Sequence, residues 1–183
     1  MMNLAEYRRT ASRLADYLPW VALVDQGVVL NKDGSFQRTA RFRGPDLDSA
    51  VAAELVAVAG RINNAFRRLG SGWSIFVEAQ RHEASTYPNS VFPDAASALV
   101  DAERKADFEE AGSHFVSSYF LTFLYLPPAE EAARTESWLY EGRERSGVDP
   151  HEVLRAFTDR TDRVLALLDG FMPECAWLDD AET

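Results

Sequence analysis

The sequence predicts an α+β fold, and three observations support the prediction. An Asp-Gly turn lies between two β-rich runs near the N-terminus, within residues 18–49. Two long segments, 51–69 and 149–169, repeat apolar residues at spacings of three and four. A strand-length run, 116–126, is apolar on both faces. Together these features are typical of an antiparallel sheet that is covered by helices.

The N-terminal hairpin is the best-defined local signal. Pro19 ends the first segment, Trp20–Val24 predicts a strand, and Asn31–Gly34 is the turn between a strand at 28–30 and another at 36–42. Asp-Gly favours a tight turn because glycine accepts the positive φ that the turn requires. A hairpin is not stable alone in water, so later elements are expected to cover it.

The segment 51–69 predicts the clearest helix, and Gly70 closes it as a C-terminal cap. Alternation over 73–80 then predicts a strand. The helix has one continuous apolar stripe, made of Val51, Leu55, Val58, Ile62, Phe66 and Leu69.

Residues 81–114 predict an excursion inserted between two sheet strands. Residues 81–93 are rich in turn formers and predict irregular structure, and a helix over 94–110 follows with few large apolar side chains. Because such a helix buries little area, we expect it to be loosely held.

The remaining segments complete the pattern. The strand 116–126 is followed by helices over 129–145 and 149–169, and an extended segment begins at Pro173 and runs to Leu178. This order favours a ferredoxin-like, mainly antiparallel sheet, with helices chiefly on one side and an inserted helical excursion.

Composition narrows the class of protein. The chain has 183 residues, and its 19 basic and 29 acidic side chains give a net charge of -10, which argues against direct nucleic-acid binding because phosphates require local positive charge. A single cysteine, Cys175, excludes an intrachain disulfide and fits a reducing compartment. No run approaches the ~20 apolar residues of a membrane span. A basic amphipathic helix over 3–17 would lie on a membrane surface, dock on a partner or pack on its own domain.

The search for catalytic groups is mostly negative. In a P-loop the lysine contacts phosphate and is followed by Ser or Thr, whereas Lys32 precedes Asp33 and Lys105 precedes Ala106. No Ser or Cys lies in a nucleophile-elbow context. The histidines lack metal-ligand spacing; they are His82, His114 and His151.

Charged side chains are interpreted as structural. Asp159 and Asp162 share one helix face with Arg160 and Arg163 beside them, which predicts a solvated charged surface. Six arginines of the hairpin and the first long helix are expected to pair within the molecule or, less simply, to form a basic patch: Arg38, Arg41, Arg43, Arg61, Arg67 and Arg68.

Several segments resemble the N-terminal region of the CagE/TrbE/VirB family of conjugal-transfer ATPases in bacterial type IV secretion systems. They are LADYLPWVALVDQGVVLNKDGSFQRTARFRGPDLDS, NNAFRRLGSGW, YFLTFLYLPP and LLDGFMPECAWLDDAET. The resemblance implies a large cytoplasmic ATPase, peripheral at the inner membrane, whose C-terminal RecA-like motor carries the Walker motifs. Since no counterpart of that motor is present, we expect a fragment or truncated reading frame without cofactors, and ATP and Mg²⁺ only in the absent motor.

The resemblance further implies a non-catalytic docking and assembly domain. Residues 1–17 would be an N-terminal amphipathic segment and residues 18–183 the α+β domain. The expected partners are inner-membrane components of the secretion channel and other subunits of the same ATPase, with only peripheral membrane contact and no direct nucleic-acid binding. The alternative is a stand-alone small α+β enzyme or nucleic-acid-processing domain, which the missing catalytic groups disfavour.

One face of the strand 116–126 is the candidate partner surface. If helices 51–69 and 149–169 cover Phe120, Leu124 and Leu126, the opposite face requires another cover. The N-terminal segment and the helix 94–110 are covers from within the chain, and a partner protein is the alternative. The candidate partner residues are Tyr119, Leu121, Phe123 and Tyr125.

Overall fold

The computed structural model describes residues 14–84, 86–128 and 150–183. Its strands are β1 (Trp20–Asp25), β2 (Val28–Asn31), β3 (Phe36–Arg43), β4 (Trp73–Ala84), β5 (His114–Tyr125) and β6 (Glu174–Trp177). Its helices are α1 (Leu14–Tyr17), α2 (Ala52–Phe66), α3 (Ala95–Glu110) and α4 (Pro150–Asp169). The predicted helix 129–145 and residues 1–13 of the predicted N-terminal helix lie outside the described residues. In the described ranges, no helix is long and apolar enough to span a membrane.

The strands form one sheet, and β3 is its most shared member. The order is β1–β2–β3–β5–β4, with β6 also paired to β3. β2 pairs antiparallel with residues 36–38 of β3, and β6 pairs antiparallel with residues 40–43. Because β5 lies on the other edge of β3, β2 and β6 follow one another along the same edge.

This arrangement confirms the predicted ferredoxin-like sheet. The elements β3, α2, β4, β5, α4 and β6 follow the βαββαβ order, and their strands lie side by side as β6–β3–β5–β4. The hairpin partner β2 and the edge strand β1 extend this sheet beyond β3. The last strand predicted from the sequence, from Pro173, is thus β6, and it belongs to the sheet.

The predicted turn between β2 and β3 is confirmed by its hydrogen bonds. The Asn31 backbone N–H donates to the Ser35 carbonyl at 2.8 Å. Gly34 has a φ of 80°, which glycine adopts without steric cost. The Asp33 carboxylate accepts from the Ser35 backbone N–H at 3.0 Å and from its hydroxyl at 2.6 Å. Local turn chemistry therefore sets the register of the hairpin.

Two hydrophobic clusters fill the space between the sheet and its helices. In the first, the α4 residues Val153, Leu154 and Phe157 pack on Val28, Leu30 and Phe36 of the hairpin. In the second, Val164 and Leu168 of α4 join Ala65 and Leu69 of the α2 region on Leu121 and Phe123 of β5. The stripe predicted for α4 is thus confirmed as the main cover of the sheet.

The prediction of which face of β5 the helices cover was wrong. Leu121 and Phe123 are buried beneath α2 and α4, whereas Leu124 on the alternate face is only half-buried. Both faces of this strand are apolar, so periodicity alone did not distinguish them. Phe123 makes edge-to-face contacts with Phe66 and Trp177, which come from elements distant in the sequence.

Residues 78–119 form a second compact unit, which differs from the predicted excursion 81–114. β4 continues to Ala84, where irregular structure was predicted from residue 81. The helix predicted over 94–110 is confirmed as α3, and the Asp94 side chain caps it by accepting from the Ser97 N–H at 2.8 Å. No residue of α3 is buried.

A small aromatic cluster holds α3 within this second unit. The Phe108 ring stacks on His114 with centroids 3.8 Å apart, and it meets Tyr87 edge-on at 5.5 Å. The Tyr87 hydroxyl donates to the Asp101 carboxylate at 2.8 Å. These contacts replace the larger apolar interface that the helix lacks.

Candidate interaction site

An apolar surface lies at one end of the strand order, on β1 and the helical turn before it. Tyr17 is exposed, Trp20 is 51% exposed and Leu23 is 47% exposed. We define the β1 edge surface by its exposed large side chains: Leu14, Tyr17, Trp20, Val21 and Leu23. Exposed apolar patches of this kind mark contacts with other proteins more often than scattered single residues do.

The local geometry explains why large side chains of β1 reach solvent. The Leu18 N–H donates to the Leu14 carbonyl at 3.2 Å and closes one helical turn, and Pro19 then prevents its continuation. In the pairing of β1 with β2, the register shifts between Trp20 and Ala22 and again between Leu23 and Asp25. Such bulges bend and twist a strand, so apolar side chains leave the face that the helices cover.

The two outer strands of the sheet order differ in charge. From Trp20 to Val24, β1 has no charged residue. β4, at the other end of the order, carries Glu78, Arg81 and Glu83. Charged side chains on an edge strand prevent pairing with another chain. Because β1 lacks this protection, its edge is suited to contact with an apolar protein surface.

The four predicted partner residues do not form one exposed surface. Leu121 and Phe123 lie in the core. Tyr125 is half-buried and stacks on Trp73 with centroids 4.8 Å apart. Tyr119 is partly exposed and belongs to the second unit. The burial of Leu121 and Phe123 contradicts the predicted partner surface, because α2 and α4 cover the face that was expected to be open.

Asp162 has a structural role that sequence patterns missed. Its Oδ1 accepts from Arg38 Nη1 at 2.7 Å and from Trp177 Nε1 at 2.8 Å. The Arg38 side chain is nearly buried, and its guanidinium lies 4.0 Å from the centre of the Trp177 ring. Asp162 is therefore not simply part of a solvated surface. The position of Arg38 between the buried Phe36 and Ala40 was the signal that it requires a buried partner.

The expected pairing of arginines within the molecule is confirmed for Arg38 and also for Arg41. Arg41 Nη2 lies 2.9 Å from the Glu182 carboxylate. The Asp180 carboxylate accepts from the Gly27 N–H at 2.7 Å, and the Leu178 N–H donates to the Thr39 carbonyl at 3.0 Å. We call residues 178–183 the C-terminal segment. It contacts β3 and the turn between β1 and β2.

The described residues offer little reactive chemistry. In these ranges, no cluster of three or more His, Cys, Asp or Glu side chains is placed to hold a metal ion. Burial, and secondarily the Asp169 carboxylate, raises the pKa of the Cys175 thiol to about 11. A thiol with a raised pKa is a poor nucleophile at neutral pH. The arrangement supports surface recognition and packing.

Comparison with known proteins relates the chain to secretion ATPases. The family model of the type IV secretion system ATPase VirB4/TrbE, N-terminal domain, matches residues 27–133. The chain is 36% identical over 162 residues, 86% of its length, to the conjugal transfer protein TrbE of Rhizobium radiobacter, and it spans 20% of that protein. It is 42% identical over 138 residues, 74% of its length, to the first portion of a probable conjugal transfer protein TrbE of Sinorhizobium fredii, and it spans 91% of that relative.

Proposed function

Since this chain belongs to the VirB4/TrbE N-terminal domain family of type IV secretion ATPases, we propose that it is a non-catalytic docking and assembly domain for conjugal DNA transfer. In this role it links an ATPase motor to inner-membrane components of the secretion channel. It acts at the cytoplasmic side of the inner membrane, with peripheral membrane contact only. It binds neither nucleotide nor nucleic acid directly.

The observation that carries this proposal is the β1 edge surface. A Trp and a Leu that are half exposed on an edge strand, without charged neighbours, provide the kind of apolar anchors that contribute most binding energy in protein interfaces. Burying one such side chain in a partner contributes roughly 1.5–3 kcal/mol. Recognition at this surface requires an apolar partner, which a membrane-associated channel component offers.

A non-catalytic role is supported by the residues that a motor requires. In P-loop ATPases a lysine contacts the phosphates and the next Ser or Thr binds Mg²⁺. Lys32 lies in the hairpin turn and Lys105 lies on α3, and neither is followed by a hydroxyl residue. The nearly buried arginine of the sheet, Arg38, is already paired with Asp162.

Site-specific photo-crosslinking in cells that carry the complete transfer genes tests the proposal. A photoreactive residue at Trp20 is expected to crosslink to an inner-membrane component of the channel. The same residue at Val77, which is exposed on β4, is the matched control and is expected to give no such product. Crosslinking should disappear when the channel genes are deleted.

A substitution makes the test quantitative. Leu23→Lys places a charge on the β1 edge surface, whereas Val77→Lys places the same charge on β4. We expect Leu23→Lys to reduce DNA transfer at least tenfold and Val77→Lys to leave it near the normal level. Circular dichroism and thermal unfolding establish that both variants are folded. Equal transfer by the two folded variants would contradict docking through β1.

A further inference from the structure

The first half of α2 is apolar on every side and yet exposed. Residues 51–60 read VAAELVAVAG, with Glu54 as the single charge. Val56 is 73% exposed and Val51 is 61% exposed, although the sequence pattern placed Val51 on a core stripe. A Cβ added to Gly60 would meet no atom within 4 Å. Helices that are hydrophobic all round are normally buried, so this segment is suited to packing against another protein surface.

We propose that α2 pairs antiparallel with α2 of a second copy of this chain, with Glu54 of each copy beside Arg61 of the other. This inference rests on the assembly role proposed above and names one surface for it. The surface is separate in sequence from the β1 edge surface, so channel docking and self-association involve different residues.

Helical spacing places the contact on the outer face of α2. The core residues Ala65 and Leu69 define the inner side of this region. At 100° per residue, Ala53, Ala57 and Gly60 fall roughly on the opposite side. These residues are small, so two helices can approach closely along this line. Val56 flanks it and would be covered by the second helix.

The two charges lie along one flank of that face. Glu54 and Arg61 are separated by two helical turns, so they project in nearly the same direction. A two-fold axis perpendicular to two antiparallel helices brings the same flank of each helix together. Glu54 of one copy then lies beside Arg61 of the other, and the reverse pair forms by symmetry.

The surrounding charges favour the same arrangement. Asp46 and Asp48 precede α2, and Arg67 and Arg68 follow it. Antiparallel pairing brings the acidic end of each helix to the basic end of the other, whereas parallel pairing would bring like charges together. This self-complementarity favours a second copy of the chain over an unrelated partner.

Both charges are available for a contact between copies. Glu54 Oε2 accepts from the Val51 backbone N–H at 3.0 Å, which leaves the other carboxylate oxygen for Arg61 of the second copy. The Arg61 guanidinium carbon lies 5.8 Å from the centre of the Phe171 ring. Across the described ranges, neither side chain forms an ion pair within the chain.

The contact is expected to be weak by itself. Two short helices bury less than the roughly 1,200 Å² of a stable protein interface. A dissociation constant in the micromolar range is therefore expected. Such a contact becomes effective when other contacts hold the same subunits together, because linked contacts raise the effective concentration.

Charge reversal tests the pairing directly. Sedimentation equilibrium of the chain at low salt should show a concentration-dependent dimer. Glu54→Arg or Arg61→Glu alone should raise the dissociation constant at least tenfold, because each creates two like-charge contacts. The double variant should return within about threefold of the original value. Glu103→Arg, on α3, is the control and should leave the dimer unchanged.

The design separates failure of this inference from other effects. Arg61→Glu leaves the Glu54–Val51 hydrogen bond in place, and thermal unfolding of each variant monitors any loss of fold. A chain that stays monomeric at millimolar concentration, or a double variant that remains as weak as the single ones, would overturn the pairing. Crosslinking from Trp20 is expected to persist in the single variants, so loss of the dimer does not remove the proposed docking function.

Discussion

The Arg38 guanidinium and the Trp177 indole both donate a hydrogen bond to one oxygen of Asp162, at 2.7 and 2.8 Å. The three residues come from β3, β6 and α4, and Arg38 also stacks on the Trp177 ring at 4.0 Å. The contact joins the two halves of the fold, because Arg38 and Asp162 are 124 residues apart in the chain.

Replacing Asp162 by Ala is expected to destabilise the protein by about 2 kcal/mol, since a nearly buried guanidinium loses its carboxylate. The loss is moderate because the Asp162 side chain is half exposed, so water partly replaces it. Urea unfolding measures the difference. Asp159→Ala, on an exposed position of the same helix, is the control and should cost under about 0.5 kcal/mol. Equal losses would contradict a specific role for Asp162.

Phe123→Ala is expected to reduce the free energy of unfolding by about 3–5 kcal/mol, because the ring is fully buried between the sheet and its helices. Leu124→Ala, next to it on the half-buried face, should cost clearly less. Denaturant unfolding of both variants is the measurement. A Phe123 variant with normal stability would restore the exposed surface that was predicted from the sequence.

Gly27→Ala should release the C-terminal segment. Gly27 has a φ of 62°, and a Cβ there would lie 2.7 Å from the Leu178 carbonyl oxygen. The added methyl group therefore displaces Leu178 and breaks the Gly27–Asp180 hydrogen bond. We expect faster carboxypeptidase digestion and a loss of about 1–3 kcal/mol. Gly44→Ala, where a Cβ has open space, should change neither.

Cys175 should resist alkylation at neutral pH. Burial raises its pKa to about 11 from an ordinary value of 9.0, so the reactive thiolate is scarce in the folded protein. The rate with iodoacetamide should keep rising well above pH 9, whereas the urea-unfolded chain should follow an ordinary thiol. Because the unfolded chain loses the proton first, this group's contribution to stability is present below about pH 9 and falls towards pH 11. A plateau near pH 9 in folded protein would contradict this.

Amide hydrogen exchange should be faster in α3 than in α4. No α3 residue is buried, whereas α4 contributes Phe157, Val164 and Leu168 to the core. Mass spectrometry of exchanged peptides measures both segments in one experiment. Replacing Phe108 by Ala should accelerate exchange in α3 further, because it removes the ring between Tyr87 and His114. Equal protection of α3 and α4 would show that α3 is held by more than this cluster.

Local signals made much of the fold predictable. The Asp33-Gly34 turn indicated the hairpin, and the spacing from Val153 to Leu168 indicated α4. The extension of β4 to Ala84 was missed because turn-forming composition was weighted over pairing, which depends on distant residues. The covered face of β5 was missed because Leu121 and Leu124 are equally apolar, and only the arrangement of helices distinguishes them.

The interaction surfaces were less predictable than the fold. Exposure of Trp20 follows from the position of β1 at the end of the sheet order and from its bulges, and neither is visible in the sequence. The role of Asp162 depends on a contact across most of the chain. Pairing of charges within the molecule was correctly expected for Arg38 and Arg41, but their partners required the structure.

The shared edge of β3 has a consequence for biosynthesis. β2 pairs with one end of β3 as soon as the hairpin leaves the ribosome, but residues 40–43 receive β6 only after residues 174–177 have been made. Until then, half of a central strand has an open edge, and long-range pairing of this kind is slow and prone to aggregation. The nascent chain therefore requires either rapid elongation through β6 or a chaperone that shields this edge.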